Sequence, residues 1–176
     1  MRDAGIPFDA ISVAIDETRW HNEAPAHLVR RLAKEKAAAA AVRLPGVAIV
    51  VGADTEVVVD GQVLGKPAAL EEAREMLRKL SGRVHEVITG LELLRLPDHA
   101  ARSVQEITRV TFAALSNEEI NAYVTTGEPL DKAGGYAIQG RAGRYVTRVE
   151  GCYFNVVGLP LALLYRSLIG FGWSPE

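Results

Sequence analysis

The sequence predicts an α/β fold in which helices flank one elongated, twisted mixed sheet. Three observations support this class. An alanine-rich helical segment leads directly into a β-branched run, two long extended runs flank a short polar turn, and further helical segments follow on the carboxyl-terminal side. No internal repeat, low-complexity linker or shift in composition divides the chain. We therefore expect a single domain over residues 1–176.

The first helix is predicted over Ala24 to Leu44, a segment rich in strong helix formers. Lys36 lies on the apolar stripe of this helix, four residues after one apolar position and four before another. A fully solvated lysine is not expected there. The apolar positions of the stripe are Val29, Leu32, Ala33 and Ala40.

A buried strand and a hairpin are predicted next. The run VAIVVGAD favours a strand that is covered on both faces, with Asp54 at its end. The following run, EVVVDGQVL, has two short extended arms around Asp60 and Gly61. Because this pair favours positive φ angles, it predicts a two-residue hairpin turn.

The middle of the chain returns to a helical pattern and then becomes extended. A helix is predicted over Ala68 to Leu80 and ends before Gly82. Residues 83–96 and 101–115 predict two long antiparallel strands around a polar turn. The apolar face of the helix comprises Leu70, Ala73, Met76, Leu77 and Leu80.

The last third of the chain begins with a short helix over residues 116–127. Ser116 and Glu119 have the spacing of a capping box, and Gly127 closes the segment. The later segments predict an irregular glycine-rich stretch at 131–143, a strand or hairpin at 144–158, and an apolar helix at 159–172.

Charge and cysteine content narrow the function classes. Twenty Lys and Arg residues against 22 Asp and Glu residues give a formal charge of -2. We therefore expect binding neither to nucleic acid nor to an anionic membrane. The lone Cys152 excludes an intrachain disulfide framework, and no apolar run has the length of a membrane span or the pattern of a signal peptide. These features indicate a cytoplasmic protein.

Two carboxylates are candidates for catalysis and metal binding. Asp54, at the predicted strand end, has the position from which α/β proteins present catalytic side chains, but a turn or cap role is equally open. Glu17 belongs to the adjacent pair Asp16 and Glu17, which also fits a merely solvated surface. Together, Glu17 and Asp54 could hold Mg²⁺, which takes a few carboxylates and keeps waters and phosphate oxygens.

Two lysines and an amide complete the candidate site. Lys36 and Lys66 would neutralise a polyphosphate, although Lys36 could equally extend its head past apolar neighbours into water. Gln139, in a glycine-rich loop, suits the edge of a base or the internal bonding of that loop. His85 lies within a strand pattern, and we interpret it as a structural hydrogen-bonding residue rather than a ligand.

Seven segments occur in an order that resembles one known family. They are AIDE, LAKEKA, GADT, LGKP, LSGRVHEVITG, EEINAYVTTGEPLDKAGGYAIQG and EGCYFNVVGLP. In this order they resemble the Maf family of nucleoside triphosphate pyrophosphatases. The resemblance implies a fold with a central cleft, related to inosine triphosphatase, and allows a homodimer. It also implies hydrolysis of a nucleoside triphosphate to the monophosphate and pyrophosphate with a divalent cation, for which we expect Mg²⁺.

The resemblance also assigns roles to individual positions. Asp54 matches the proposed proton acceptor, Glu17 a metal-associated carboxylate, and Lys36 and Lys66 phosphate-contacting lysines. Thr55 and Gln139 match positions that are tied to substrate choice. The DKAGGY and IQG segments resemble the branch that acts on dTTP and UTP, which makes modified pyrimidine triphosphates plausible targets of a housecleaning enzyme.

One departure from the family pattern leaves two hypotheses. Family members begin with a strand and an S-x-S-P-R-R turn, whereas Met1 matches a position near the end of the helix that follows. The first hypothesis is an enzyme whose reading frame continues upstream. The second is an impaired relative that binds nucleotide or protein and regulates cell division. Pyrophosphate release from UTP or dTTP separates the two.

Overall fold

The computed structural model describes Met1 and residues 4–175 and has the predicted α/β class. Its strands form one five-stranded sheet in the order β2-β1-β3-β4-β5, with helices flanking it. Among the described residues, no helix combines the length and the apolar character needed to cross a membrane. The elements are α1 (Pro25–Ala41), β1 (Ala48–Val59), β2 (Gln62–Leu64), α2 (Leu70–Leu80), β3 (Val84–Leu96), β4 (Ala101–Phe112), α3 (Asn117–Val124), β5 (Val146–Glu150), α4 (Tyr153–Val157) and α5 (Leu161–Gly170).

The chain is divided into two compact units by its internal contacts. The first unit comprises Met1–Asp54, Thr89–Glu106 and Leu159–Glu176, and the second comprises Thr55–Ile88 and Ile107–Gly158. Three strands, β1, β3 and β4, each continue from one unit into the other. The expected single domain over residues 1–176 stays a prediction.

In the first unit, two glycines let α1 approach the neighbouring strands β1 and β3. A Cβ atom on Gly52 of β1 would clash with the carbonyl oxygen of Ala33 and lie 2.8 Å from the nitrogen of Ala37. A Cβ atom on Gly90 of β3 would lie 2.5 Å from the carbonyl oxygen of Val29. Glycine within a strand often marks such a close backbone approach. The predicted apolar stripe of α1 is buried here, as expected.

One predicted boundary is wrong, because the buried strand does not end at Asp54. β1 runs without a break from Ala48 to Val59, so Asp54 lies in its middle. The GAD segment resembles a turn in sequence, but Gly52 is required by the contact with α1 rather than by a change of chain direction. Asp54 therefore lies inside a continuous strand, with six residues of β1 before it and five after it.

In the second unit, the hairpin and the next helix follow the prediction with one exception. β1 and β2 pair antiparallel, with Val59 opposite Gln62, and the two turn residues have φ angles of 49° and 75°. Helix α2 buries most of its predicted apolar face and ends before Gly82, at φ 68°. Leu70 is the exception, because it is the first residue of the helix and is exposed.

The prediction of a strand or hairpin over residues 144–158 is half wrong. β5 ends at Glu150, and the aromatic and β-branched run after it forms the short helix α4. The side-chain amide of Asn155 fixes this helix by donating to the carbonyl oxygen of Val87 at 2.8 Å and to the hydroxyl of Thr108 at 3.0 Å. The predicted capping box of α3 and the closing helix α5 are both confirmed.

Candidate active site

A lysine of helix α1 meets two carboxylates in the first unit, one from strand β1 and one from the segment before α1. The Nζ atom of Lys36 lies 2.7 Å from Oδ1 of Asp54 and 2.7 Å from Oε1 of Glu17. Lys36 follows Ala33 by three residues, so the contact of α1 with Gly52 brings its side chain to β1 two residues further along the strand. The structure pairs the Lys36 ammonium with two carboxylates, and its contact with phosphate stays a prediction.

Burial and charge act in opposite directions on this lysine. Partial burial lowers the pKa of Lys36, but hydrogen bonds to Asp54 and Glu17 outweigh that effect and the net change is upward. The Lys36 side chain is 24% exposed and that of Asp54 only 9%. The group of three carries one positive and two negative charges, so it retains a net negative charge that suits a further cation.

Glu17 reaches this group from a segment without regular secondary structure. Residues 6–24 form neither helix nor strand, and the Glu17 side chain is 57% exposed. Its neighbour Asp16 has a separate, local role, because Oδ1 of Asp16 accepts a hydrogen bond of 2.9 Å from the backbone nitrogen of Thr18. Hydrogen bonds from Thr18 lower the pKa of Asp16. Asp16 thus stabilises a local turn, whereas Glu17 forms an ion pair with Lys36.

Sequence reasoning missed a second charged cluster beside this segment. The Glu23 side chain is only 2% exposed and lies 2.8 Å from Nε and 2.9 Å from Nη2 of Arg31 on α1. The hydrogen bond from Arg31 is the main cause that lowers the pKa of Glu23 to about 2. The sequence did contain a signal for this cluster, because Glu23, His27 and Arg31 lie at intervals of four residues. In the structure, the ring nitrogen of His27 lies 2.7 Å from the Glu23 carboxylate.

Thr55 directly follows Asp54 in the chain and belongs to the second unit. Its hydroxyl donates to the carbonyl oxygen of Gly158 at 3.1 Å. Gly158 ends α4 with a φ angle of 116°, a conformation that favours glycine. The hydroxyl of this proposed specificity residue is therefore held in place by the end of α4.

Lys66 is exposed in the loop after β2, also in the second unit. The preceding residue, Gly65, accepts a hydrogen bond of 3.0 Å from the nitrogen of Gly134, which ties this loop to the glycine-rich stretch. A hydrogen bond from Lys132 is the main cause that lowers the pKa of Asp131, and the charge of Lys66 adds a smaller effect. Asp131 itself is paired with Lys132, whose Nζ atom lies 2.6 Å from its Oδ2 atom.

Gln139 occupies an exposed turn that a partly buried acid and a tyrosine support. The Glu128 carboxylate accepts hydrogen bonds of 3.0 Å from the Tyr123 hydroxyl and 3.0 Å from the nitrogen of Arg141. The Tyr123 oxygen in turn accepts a hydrogen bond of 3.2 Å from the nitrogen of Ala137. The backbone is thus fastened two residues before and two residues after Gln139, while its amide stays in solvent.

His85 has the structural role that we predicted from its place in a strand. It is buried, its Nε2 atom lies 2.8 Å from the hydroxyl of Tyr136, and its ring packs edge-on against Phe112. Burial lowers the pKa of His85 to about 4, so the ring is neutral at physiological pH. Cys152 is a free, partly buried thiol.

The donor set around Lys36 fits a cation that needs few protein ligands. Within residues 1 and 4–175, no group of three or more His, Cys, Asp or Glu side chains is arranged to hold a metal ion. Mg²⁺ is commonly held by only one or two carboxylates together with substrate phosphates and waters. Glu17 and Asp54, which converge on one ammonium, supply that number.

The structure thus brings together three of the six candidate residues. Glu17, Lys36 and Asp54 form one cluster in the first unit. The other three belong to the second unit, where the hydroxyl of Thr55 is bonded internally and the side chains of Lys66 and Gln139 are exposed. The functional roles of all six remain predictions.

Comparisons with known proteins identify the family of this chain. Residues 1–171 match a family model described as Maf-like protein. A protein of Symbiobacterium thermophilum named dTTP/UTP pyrophosphatase is 53% identical over 98% of this chain and 88% of its own length. A protein of Pelotomaculum thermopropionicum with the same name is 47% identical over 99% of this chain and 91% of its own. Because the family match covers nearly the whole sequence, this chain belongs to the Maf family.

Proposed function

We propose that this protein hydrolyses nucleoside triphosphates to the monophosphate and pyrophosphate, with dTTP and UTP as its substrates. The observation that carries the proposal is the convergence of Glu17 and Asp54 on the ammonium of Lys36. The names of the two relatives support this chemistry and this substrate class. They favour the enzyme over the regulatory hypothesis.

In the proposed reaction, water attacks the α phosphorus and the bond to the oxygen that bridges the α and β phosphates breaks. Pyrophosphate leaves with that oxygen, and Asp54 accepts the proton that the water loses. Lys36 bonds to Asp54 at 2.7 Å and orients its carboxylate before the substrate arrives. Because an ammonium has three donors, Lys36 can keep this contact while it also binds a phosphate oxygen.

Glu17 and Asp54 would hold a divalent cation, for which we propose Mg²⁺. When bound, the cation would neutralise charge on the phosphates and make the α phosphorus more open to attack. The chain's own contribution is the placement of the two carboxylates. Asp54 is fixed within β1, and Glu17 is brought to it by the segment before α1.

The proposed selection of the substrate depends on the second unit. We propose that Lys66 contacts phosphate and that Thr55 and Gln139 set the base preference. A glutamine amide both donates and accepts, so it can bond to the N3–H group and a carbonyl oxygen of uracil or thymine. Modified pyrimidine triphosphates that keep this edge are further proposed substrates. A cytoplasmic homodimer remains part of the proposal.

The test is pyrophosphate release from UTP, dTTP, ATP and GTP in the presence of Mg²⁺. We expect turnover of the two pyrimidine substrates, little of the purines, and loss of turnover on chelation. Asp54→Asn should lower kcat about 10²- to 10⁴-fold, as expected for removal of a proton acceptor. A folded protein that binds these nucleotides but releases no pyrophosphate would contradict the enzyme proposal and support the regulatory hypothesis.

A further inference from the structure

The buried pair of Glu23 and Arg31 joins α1 to the segment that carries Glu17. Arg31 donates through Nε and Nη2 to the Glu23 carboxylate, and its side chain is only 8% exposed. Its Nη1 donates to Glu35 one turn further along α1 at 3.2 Å. The guanidinium is therefore bonded both to Glu23, which precedes α1, and to Glu35, which lies within α1.

The same guanidinium reaches the backbone beside Glu17. Nη2 of Arg31 donates to the carbonyl oxygen of Thr18 at 3.0 Å, and the guanidinium lies 4.2 Å from the centre of the Trp20 ring. The nitrogen of Trp20 also donates to Glu23 at 3.1 Å. Every one of these contacts fixes the chain within three residues of Glu17.

We propose that Arg31 is a positioning residue that places the Glu17 carboxylate against Lys36 and Asp54, and that Glu23 holds Arg31 for this purpose. Arg31 and Lys36 are five residues apart on α1, about 7.5 Å along its axis. The same helix thus carries both Lys36 and Arg31, the residue that would fix the position of Glu17. The inference rests on the proposed function, because it assigns Glu17 a part in turnover.

The chemistry of the contacts favours positioning over a general gain in stability. A buried ion pair is weak evidence for stability, since well-packed apolar residues often serve as well. A planar guanidinium, in contrast, can bond at once to the carboxylate of Glu23, to Glu35 and to the carbonyl oxygen of Thr18. A lysine at this position keeps the positive charge but cannot form all of these hydrogen bonds in the same geometry.

The test compares Arg31→Lys, Glu17→Gln and the double variant, with Arg30→Lys as the matched control because Arg30 is exposed on the same helix. The readouts are kcat and KM for UTP. A second readout, independent of turnover, is binding of Mn²⁺ in the presence of a UTP analogue with a nitrogen bridge between the α and β phosphates. Thermal unfolding is recorded first, and all assays run well below the lowest melting temperature.

We expect Arg31→Lys to lower kcat about 10- to 100-fold, the range for a misplaced catalytic group, and to weaken Mn²⁺ binding in the same direction as Glu17→Gln. The double variant should be no worse than Glu17→Gln, because Arg31 acts through Glu17. Arg30→Lys should match the wild type in both measurements. Glu23→Gln should share the effect of Arg31→Lys, and it carries the comparison if Arg31→Lys does not fold.

Three outcomes separate the two proposals. If the wild type releases no pyrophosphate, the proposed function fails. If Glu17→Gln abolishes turnover while folded Arg31→Lys keeps the kcat and Mn²⁺ binding of the wild type, only the positioning role is overturned. If the losses of the two single variants multiply in the double variant, Arg31 acts independently of Glu17 and the inference is likewise overturned.

Discussion

The two units of the molecule hold their candidate residues in different ways. In the first unit, Glu17 and Asp54 each pair with Lys36 through a charged contact of 2.7 Å. In the second unit, Lys66 and Gln139 are exposed, and the structure fixes the backbone around them rather than their side chains. Under the proposed function, the first unit would supply preorganised charged groups and the second unit would supply adaptable contacts to the substrate.

This difference matches two separate needs of the proposed reaction. Groups that move a proton and hold a metal must be placed accurately before the substrate binds, because small displacements cost large factors in rate. A side chain that reads a base or touches a terminal phosphate can settle as the ligand arrives. Changes in the first unit should therefore reduce kcat, and changes in the second unit should mainly raise KM.

Among the variants that test this contrast between the units, Lys36→Met has the largest expected effect. This change leaves the mostly buried Asp54 and the nearby Glu17 without the ammonium between them, and we expect kcat for UTP to fall about 10²- to 10³-fold. Lys34→Met, on the exposed side of the same helix, is the control and should match the wild type. An equal fall in kcat for Lys66→Met would contradict the proposed difference between the two units.

Gly52→Ala should have the next largest effect, on both stability and turnover. The added methyl group meets the backbone of Ala33 and Ala37, which cannot move without displacing α1 from β1. We expect a loss of about 1–3 kcal/mol in the free energy of unfolding, together with a lower kcat as Lys36 shifts. Gly65→Ala introduces no contact within 4 Å and should keep the melting temperature of the wild type. A fully active and stable Gly52→Ala variant would contradict this packing.

Gln139→Ala should have a smaller effect that is confined to binding. Loss of one or two hydrogen bonds to the base is expected to raise KM for UTP about 3- to 10-fold, with little change in kcat. Gln62→Ala, an exposed glutamine on β2 of the same unit, is the matched control. A fall in kcat with unchanged KM would place Gln139 in the chemical step instead.

The smallest expected effect is a change in the acid dependence of stability. Because the folded pKa of Glu23 lies near 2, below its ordinary value of 4.5, its charged form stabilises the fold above pH 4.5. That contribution is lost as the pH falls from about 4.5 towards 2. Glu23→Gln should therefore show a weaker decline in melting temperature over this interval than the wild type. Parallel pH profiles would show that the pair with Arg31 does not form.

Much of the fold could be predicted from local patterns in the sequence. The stripe of α1, the turn at Asp60 and Gly61 and the capping box of α3 each depend on residues within a single helix or a single hairpin. Local rules suffice for such elements. The same logic identified Lys36, because a lysine on an apolar stripe conflicts with its surroundings unless it is paired.

The errors arose where distant contacts decide the local structure. Gly52 resembles a turn residue until α1 is placed against it, so the prediction ended β1 too early. The run after Glu150 resembles a strand, but the bonds of Asn155 to Val87 and Thr108 fix it as a helix. Glu23 was not among the predicted residues, because its main partner, Arg31, lies on the next element.

The central claim is that Glu17, Lys36 and Asp54 act as one group. The most direct measurement is the rate of pyrophosphate release from UTP with Mg²⁺ for Glu17→Gln, Asp54→Asn and the variant that combines them. The account predicts that both single variants lose most of the activity and that the combined variant is no slower than Asp54→Asn. Single variants with wild-type rates, or losses that multiply in the combined variant, would contradict it.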